Sequence, residues 1–126
     1  MKKEKKTMTD TDTKTVKQKA LAHFKQKITG DLFKYHVKEW DADVYYRATA
    51  NMATESRIMA LTAQGKTAEA LVESIVLKSL DQDGNRLFQN TDKVELMQQC
   101  DPNVIVRLAT KLNNANNVSQ EEVEKN

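Results

Sequence analysis

Apolar residues recur at helical spacing along most of this chain. Val16, Ala20, Leu21, Phe24 and Ile28 fall on one arc, which places a first helix over 15–28. Lys17 interrupts that arc and fits only if its aliphatic stem lies along the surface. Thr29-Gly30 supplies the stop. The period then changes. Phe33, Tyr35 and Val37 alternate with Lys34, His36 and Lys38, the two-residue period of a half-buried strand. Val44-Tyr45-Tyr46-Arg47 follows, rich in strand formers. Together they predict a hairpin at about 32–47, with Trp40 at its tip and Tyr45 facing away from Val44 and Tyr46. A lone two-stranded hairpin is marginal in water, so this one must pack on the helices or on another chain.

Helical spacing returns at 49–64 with Met52, Ile58, Met59 and Leu61, and Gly65-Lys66 breaks it. Thr67 is an N-cap for a third helix from Ala68 to about Leu80, where Leu71, Val72, Ile75, Val76 and Leu80 make a wide apolar face. A face that wide marks the centre of the core. Asp81 to Asn85 reads as a turn, because Asp and Asn bond their own backbone and Gly84 permits positive φ. Leu87-Phe88 is an apolar anchor expected to fold back on the third helix. A fourth helix is expected over about 91–99. Asp101-Pro102 joins an N-cap acid to Pro at the first helical position and starts a fifth. Its arc is Val104, Ile105, Leu108, Ala109 and Leu112, and the Asn-rich tract 113–117 ends it. Ser119 and Glu122 form a capping-box pattern for a short final helix. The predicted fold is mainly α: a compact bundle of about five helices with a small β-hairpin in the N-terminal third. Residues 1–14 are expected to be a disordered basic arm, 15–118 a helical domain, and 119–126 a short helix or tail.

Composition agrees with helices. In 126 residues there are three Gly and one Pro, too few for a turn-rich β architecture. No apolar run approaches the ~20 residues that span a bilayer, and no hydrophobic segment follows the basic Met1–Lys6 as in a secretory signal. The single Cys100 cannot form an internal disulfide and fits a reducing compartment. Charge is uneven. Residues 1–27 hold nine Lys against Glu4, Asp10 and Asp12, a net of +6; the whole chain is +2, leaving −4 for the rest. Such a basic arm can be a solvated tail or a nucleic-acid contact. No aromatic residue lies in the first twenty positions, so a base-stacking platform is missing there.

Catalytic and metal motifs are not found. A calcium loop from Asp81 puts Arg86 where Gly belongs and Asp92 at the twelfth position; starting at Ser79 restores Gly84 but puts Asn90 there. His23 and His36 have no second Cys or His at zinc-ligand spacing. No Gly-rich phosphate loop or acid–base pair stands out. No cofactor, metal or enzymatic activity is expected. Aromatic side chains with a polar handle favour interfaces, so Trp40 and Tyr45, with the apolar Leu87 and Phe88, are the candidate partner-binding residues; the alternative is that the aromatics cover the domain's own core.

The series from Leu71 onward narrows the reading. A long apolar helix is followed by Asp81-Gln82-Asp83-Gly84-Asn85 and Leu87-Phe88. Thr91-Asp92 then starts a helix, another ends in Leu112-Asn113, and a Ser119-Gln120-Glu121-Glu122-Val123-Glu124 tail closes the chain. This order resembles the small tail assembly chaperones of long-tailed bacteriophages, over about 33–126, with Val37, Trp40 and Val44-Tyr45-Tyr46-Arg47 fitting that family's hairpin. The resemblance implies a non-catalytic factor that binds the tape measure protein in the host cytoplasm, keeps it soluble, and is not expected in the mature virion. It also implies recruitment of tail tube protein through a frameshift-extended form. Self-association is expected, membrane contact is not, and nucleic-acid binding is unlikely. Two other readings stay open: a small nucleic-acid-binding protein using the Lys-rich arm, and a structural tail completion or connector subunit.

Overall fold

A computed structural model describes residues 2–115, the side chains from Thr15 onward. Among the described residues it is mainly helical, with five α-helices and one antiparallel hairpin. The expected final helix from Ser119 lies outside the described residues. The first helix, α1, is Lys2–Thr29. Its backbone is helical through the segment read from the sequence as a basic arm. The reason is local: no Gly or Pro precedes Gly30, and Lys, Glu, Gln, Met and Ala favour the helix. Thr29 Oγ1 donates to the Lys25 carbonyl at 2.6 Å, and Gly30 ends the element. α1 with Gly30 forms one compact unit, and the chain from Asp31 forms a second.

The second unit opens with β1 (Phe33–Val37) and β2 (Ala42–Tyr46), paired from Phe33↔Tyr46 to Val37↔Ala42. Between them a 3-10 turn covers Lys38–Trp40, and Asp41 takes a left-handed φ of 48°. The alternation read from the sequence is present: Val37, Val44 and Tyr46 are buried, while Lys34 and His36 are exposed. The Phe33 and Tyr46 rings lie 5.5 Å apart between centroids, within the range of favourable aromatic pairs. The hairpin is not left at two strands. Tyr45 and Leu80 exchange backbone hydrogen bonds of 2.9 and 2.8 Å, and Leu80 in turn bridges to Arg86. A single residue just past the third helix therefore extends the sheet, while α5 packs against β1.

The helices that follow are α2 (Met52–Ala63), α3 (Thr67–Lys78), α4 (Lys93–Gln98) and α5 (Pro102–Asn113). α2 starts three residues later than expected, at an Asn51 cap whose side chain accepts from the Thr54 N–H at 2.9 Å. It buries Ile58 but leaves Met52 and Met59 exposed. Gly65, at φ 78°, ends the α2 region, and α3 then runs back along α2. Lys66, not Thr67, holds the N-cap position of α3, and Thr67 is its first helical residue. The fourth helix begins with a 3-10 turn over Asn90–Asp92, where the Asp92 carboxylate accepts from the Gln89 N–H at 2.7 Å. α5 starts as read: Asp101 Oδ1 accepts from the Asn103 N–H at 2.9 Å and Pro102 follows.

α3 is central, packing against α2, α4 and α5. Val72, Ile75 and Val76 from α3, and Val104, Ile105, Leu108, Ala109 and Leu112 from α5, form one cluster with Val37, Val44, Tyr46 and Leu96. All five expected α5 arc residues are buried. The turn after α3 also forms as read. Asp81 Oδ1 accepts from the Asp83 and Asn85 N–H groups, both at 2.9 Å, and Gly84 has φ 86°. Arg86 then donates through Nε and Nη2 to the Val76 carbonyl at 3.3 and 3.1 Å. That satisfies one of the orphan carbonyls that every helix end leaves.

Candidate partner-binding surface

Where α3, α4 and α5 meet, the apolar cover is incomplete. A groove of about 270 Å³ is lined by Ala68, Leu71, Val72, Leu96, Met97, Gln98, Cys100, Pro102, Ile105 and Val106. Its origin is geometric. α4 is short, and its single buried residue, Leu96, fills the space above α3 only in part. Beside that anchor Met97 remains 41% exposed and Val106 48% exposed. Cys100 is a free, half-buried thiol in the groove wall. Met is flexible and polarizable, which suits a surface that must adapt to another apolar face. The groove is smaller than the ~300–1,000 Å³ usual for small-molecule sites.

The walls are held by charge. Glu73 is buried on α3, and its two oxygens meet Arg57 of α2 at 2.9 Å and Lys93 of α4 at 3.0 Å. Both cations keep access to water while the carboxylate does not, so the carboxylate depends on both partners. Lys78, near the other end of α3, donates to Glu55 of α2 and to Asn113 of α5, each at 2.9 Å. Asn113 also donates to Ser74 Oγ at 3.0 Å, and Ser74 donates to the Ala70 carbonyl at 2.9 Å. Ser79 Oγ is the one buried side-chain oxygen among the described residues without a hydrogen-bond partner.

On another face, Arg107 of α5 donates to the Glu39 carboxylate at the hairpin tip. That hydrogen bond holds the Glu39 carboxyl below its ordinary value and raises the Arg107 guanidinium above its own. Lys111 of α5 sits 6.0 Å from the Tyr35 ring centroid, at the limit of a cation–π contact. His36 Nδ1 lies 2.8 Å from Asp43 Oδ1 on the exposed face of the hairpin.

The four candidate residues from the sequence are not gathered on one surface. Trp40 and Phe88 are half-buried and packed against the core, the role weighed as the alternative for Trp40. Tyr45 is half-buried, with its backbone bridged to Leu80. Leu87 is 40% exposed, and its N–H donates to the Ser79 carbonyl at 3.0 Å. The ladder through Leu80 brings Tyr45 and the Arg86–Leu87 segment to one sheet edge, while Trp40 sits by the turn at the hairpin's far end. Sequence reasoning missed the groove. Its signal was present as apolar residues beyond the core arcs, Met97 beside Leu96 and Val106 beside Ile105.

Among the described residues no three His, Cys, Asp or Glu side chains converge as a metal ion would need, and no helix is long and apolar enough to cross a membrane. Compared with protein-family models, curated proteins and solved structures, the chain matches none.

Proposed function

We propose that this protein is a phage tail assembly chaperone that binds the tape measure protein, keeps it soluble, and acts without catalysis. The carrying observation is the apolar groove. Most of it is built by Leu71, Val72, Leu96, Met97, Cys100, Ile105 and Val106, from the same stretch in which the resemblance to those chaperones is strongest. A tape measure protein is a long, largely helical chain, and an amphipathic helix laid in a groove is a recurrent recognition mode. Many copies along one partner would gain avidity from weak individual contacts. On this reading the protein acts in the host cytoplasm and leaves before the tail is complete. A frameshift-extended form would recruit tube subunits.

Co-expression with the tape measure protein of the same genome tests the proposal. A soluble complex is expected, and it should be lost with Val106→Glu. An insoluble tape measure protein, or a complex indifferent to that substitution, would count against it. Mass spectrometry of purified particles separates the structural reading, since a connector subunit would remain in them.

A further inference from the structure

The groove between α3, α4 and α5 has apolar walls and a charged surround. Two stretches of chain, 66–72 and 93–106, supply all of its lining residues. Their charged residues are Lys66, Glu69, Lys93, Glu95 and Asp101. Each acid stands next to a lining residue: Glu69 follows Ala68, Glu95 precedes Leu96, and Asp101 lies between Cys100 and Pro102. Glu95 and Asp101 are exposed and Glu69 is half-buried, so all three carboxylates keep access to water. None of the three is ion-paired among the described residues, whereas Glu39, Glu55 and Glu73 are. The cations nearby are mostly engaged elsewhere: Lys93 on Glu73, and Arg107, next to Val106, on Glu39. Three acids without a cation therefore stand against one unengaged lysine, Lys66. The whole chain is +2, so this local negative charge runs against the net charge.

We propose that the segment this groove takes from the tape measure protein is a basic amphipathic helix, with an apolar stripe flanked by Lys or Arg. The inference rests on reading the groove as the tape measure site and adds the chemistry that selects the segment. The stripe covers the exposed Met97 and Val106, and the flanking cations pair with Glu69, Glu95 and Asp101. Apolar walls alone do not distinguish one amphipathic helix from another. The acids do: a stripe flanked by Asp or Glu brings like charges together and is rejected. A long helical partner offers many apolar stripes, and this rule picks out those with basic flanks.

Two synthetic helical peptides test it on the full chain. Both carry leucine at i, i+3, i+4 and i+7; one has Lys on each side of that stripe and the other has Glu. Fluorescence anisotropy should show the Lys peptide bound, with affinity falling as salt is added. Val106→Glu should abolish that binding, although it adds a negative charge. A triple variant, Glu69→Gln with Glu95→Gln and Asp101→Asn, should weaken it about tenfold, as the loss of three exposed ion pairs would. Asn serves as an N-cap as well as Asp, so the start of α5 is kept and circular dichroism should match the wild type. The Glu peptide should show no binding that Val106→Glu removes. Three results would overturn the inference: neither peptide binds, the Glu peptide is held in the groove as tightly as the Lys peptide, or the Lys peptide is indifferent to the triple variant. The two readings fail separately. A soluble tape measure complex beside a groove that binds neither peptide defeats the inference alone. A groove that prefers the Lys peptide while the tape measure protein stays insoluble keeps the charge rule and removes the tape measure protein as the source of the helix.

Discussion

α1 and α5 both carry an apolar arc at helical spacing, and they meet opposite fates. On α5 all five arc residues are buried, Leu108 and Ala109 completely. On α1, Val16 and Leu21 stand in solvent and Phe24 and Ile28 are only half-covered. The same sequence signal therefore marks core in one helix and a largely exposed face in the other. The difference lies in what surrounds each arc. α5 has a fixed start at Asp101-Pro102 and faces the wide apolar side of α3. α1 has Lys17 within its arc.

The sharpest way to break the comparison is to truncate one leucine in each helix. Leu108→Ala should cost about 2–5 kcal/mol, since a buried leucine leaves a cavity. Leu21→Ala should change stability by less than about 0.5 kcal/mol. Urea midpoints at fixed slope read both, and equal losses would mean the arcs are not different in kind. Next is the charge that fastens α4. Glu73→Gln leaves Arg57 and Lys93 without their shared carboxylate and should cost about 1–3 kcal/mol, as for a buried charged hydrogen bond. The proton spectrum of Leu96 should broaden if α4 loosens. A smaller effect is expected at the start of α5: Asp101→Ala should cost about 1 kcal/mol through loss of the N-cap. A helix held only by its buried face would not notice.

The smallest effect belongs to pH. The Arg107 hydrogen bond lowers the Glu39 carboxyl in the folded state relative to the unfolded chain. Its stabilisation is therefore present above the unfolded value of ~4.3 and is lost as pH falls through the lower folded value. Arg107→Gln should return the Glu39 titration, followed by carboxyl NMR shifts, toward the ordinary value. An unchanged titration would show that the contact between hairpin tip and α5 is not what lowers it.

Much of the second unit was legible because its signals are local. Asp101-Pro102, Gly84 and the Phe33-Tyr35-Val37 alternation each specify backbone within a few residues. What was not legible depends on residues far apart. Glu73 sits in the run Leu71-Val72-Glu73-Ser74-Ile75, and nothing nearby says that Arg57 and Lys93 will reach it. Nor does local pattern say that Leu80 will join the sheet. Trp40 has two readings in the sequence, partner contact or core cover, and Phe88 also reads as an anchor folding back on α3; both pack in part against the core. The groove escaped notice because it is a shortage of cover left by a short α4, and a shortage has no motif.

The bridge between Tyr45 and Leu80 has a kinetic meaning. The hairpin's second strand obtains its outer partner only when the chain has passed through α2 and α3 and returned. Closing so long a loop delays that pairing relative to local turns. The Tyr45 and Leu80 amides, each bonded to the other's carbonyl, should then exchange with deuterium only as the helical core opens. Those two amides would serve as a clock for completion of the fold, started by the hairpin and stopped by the end of α3.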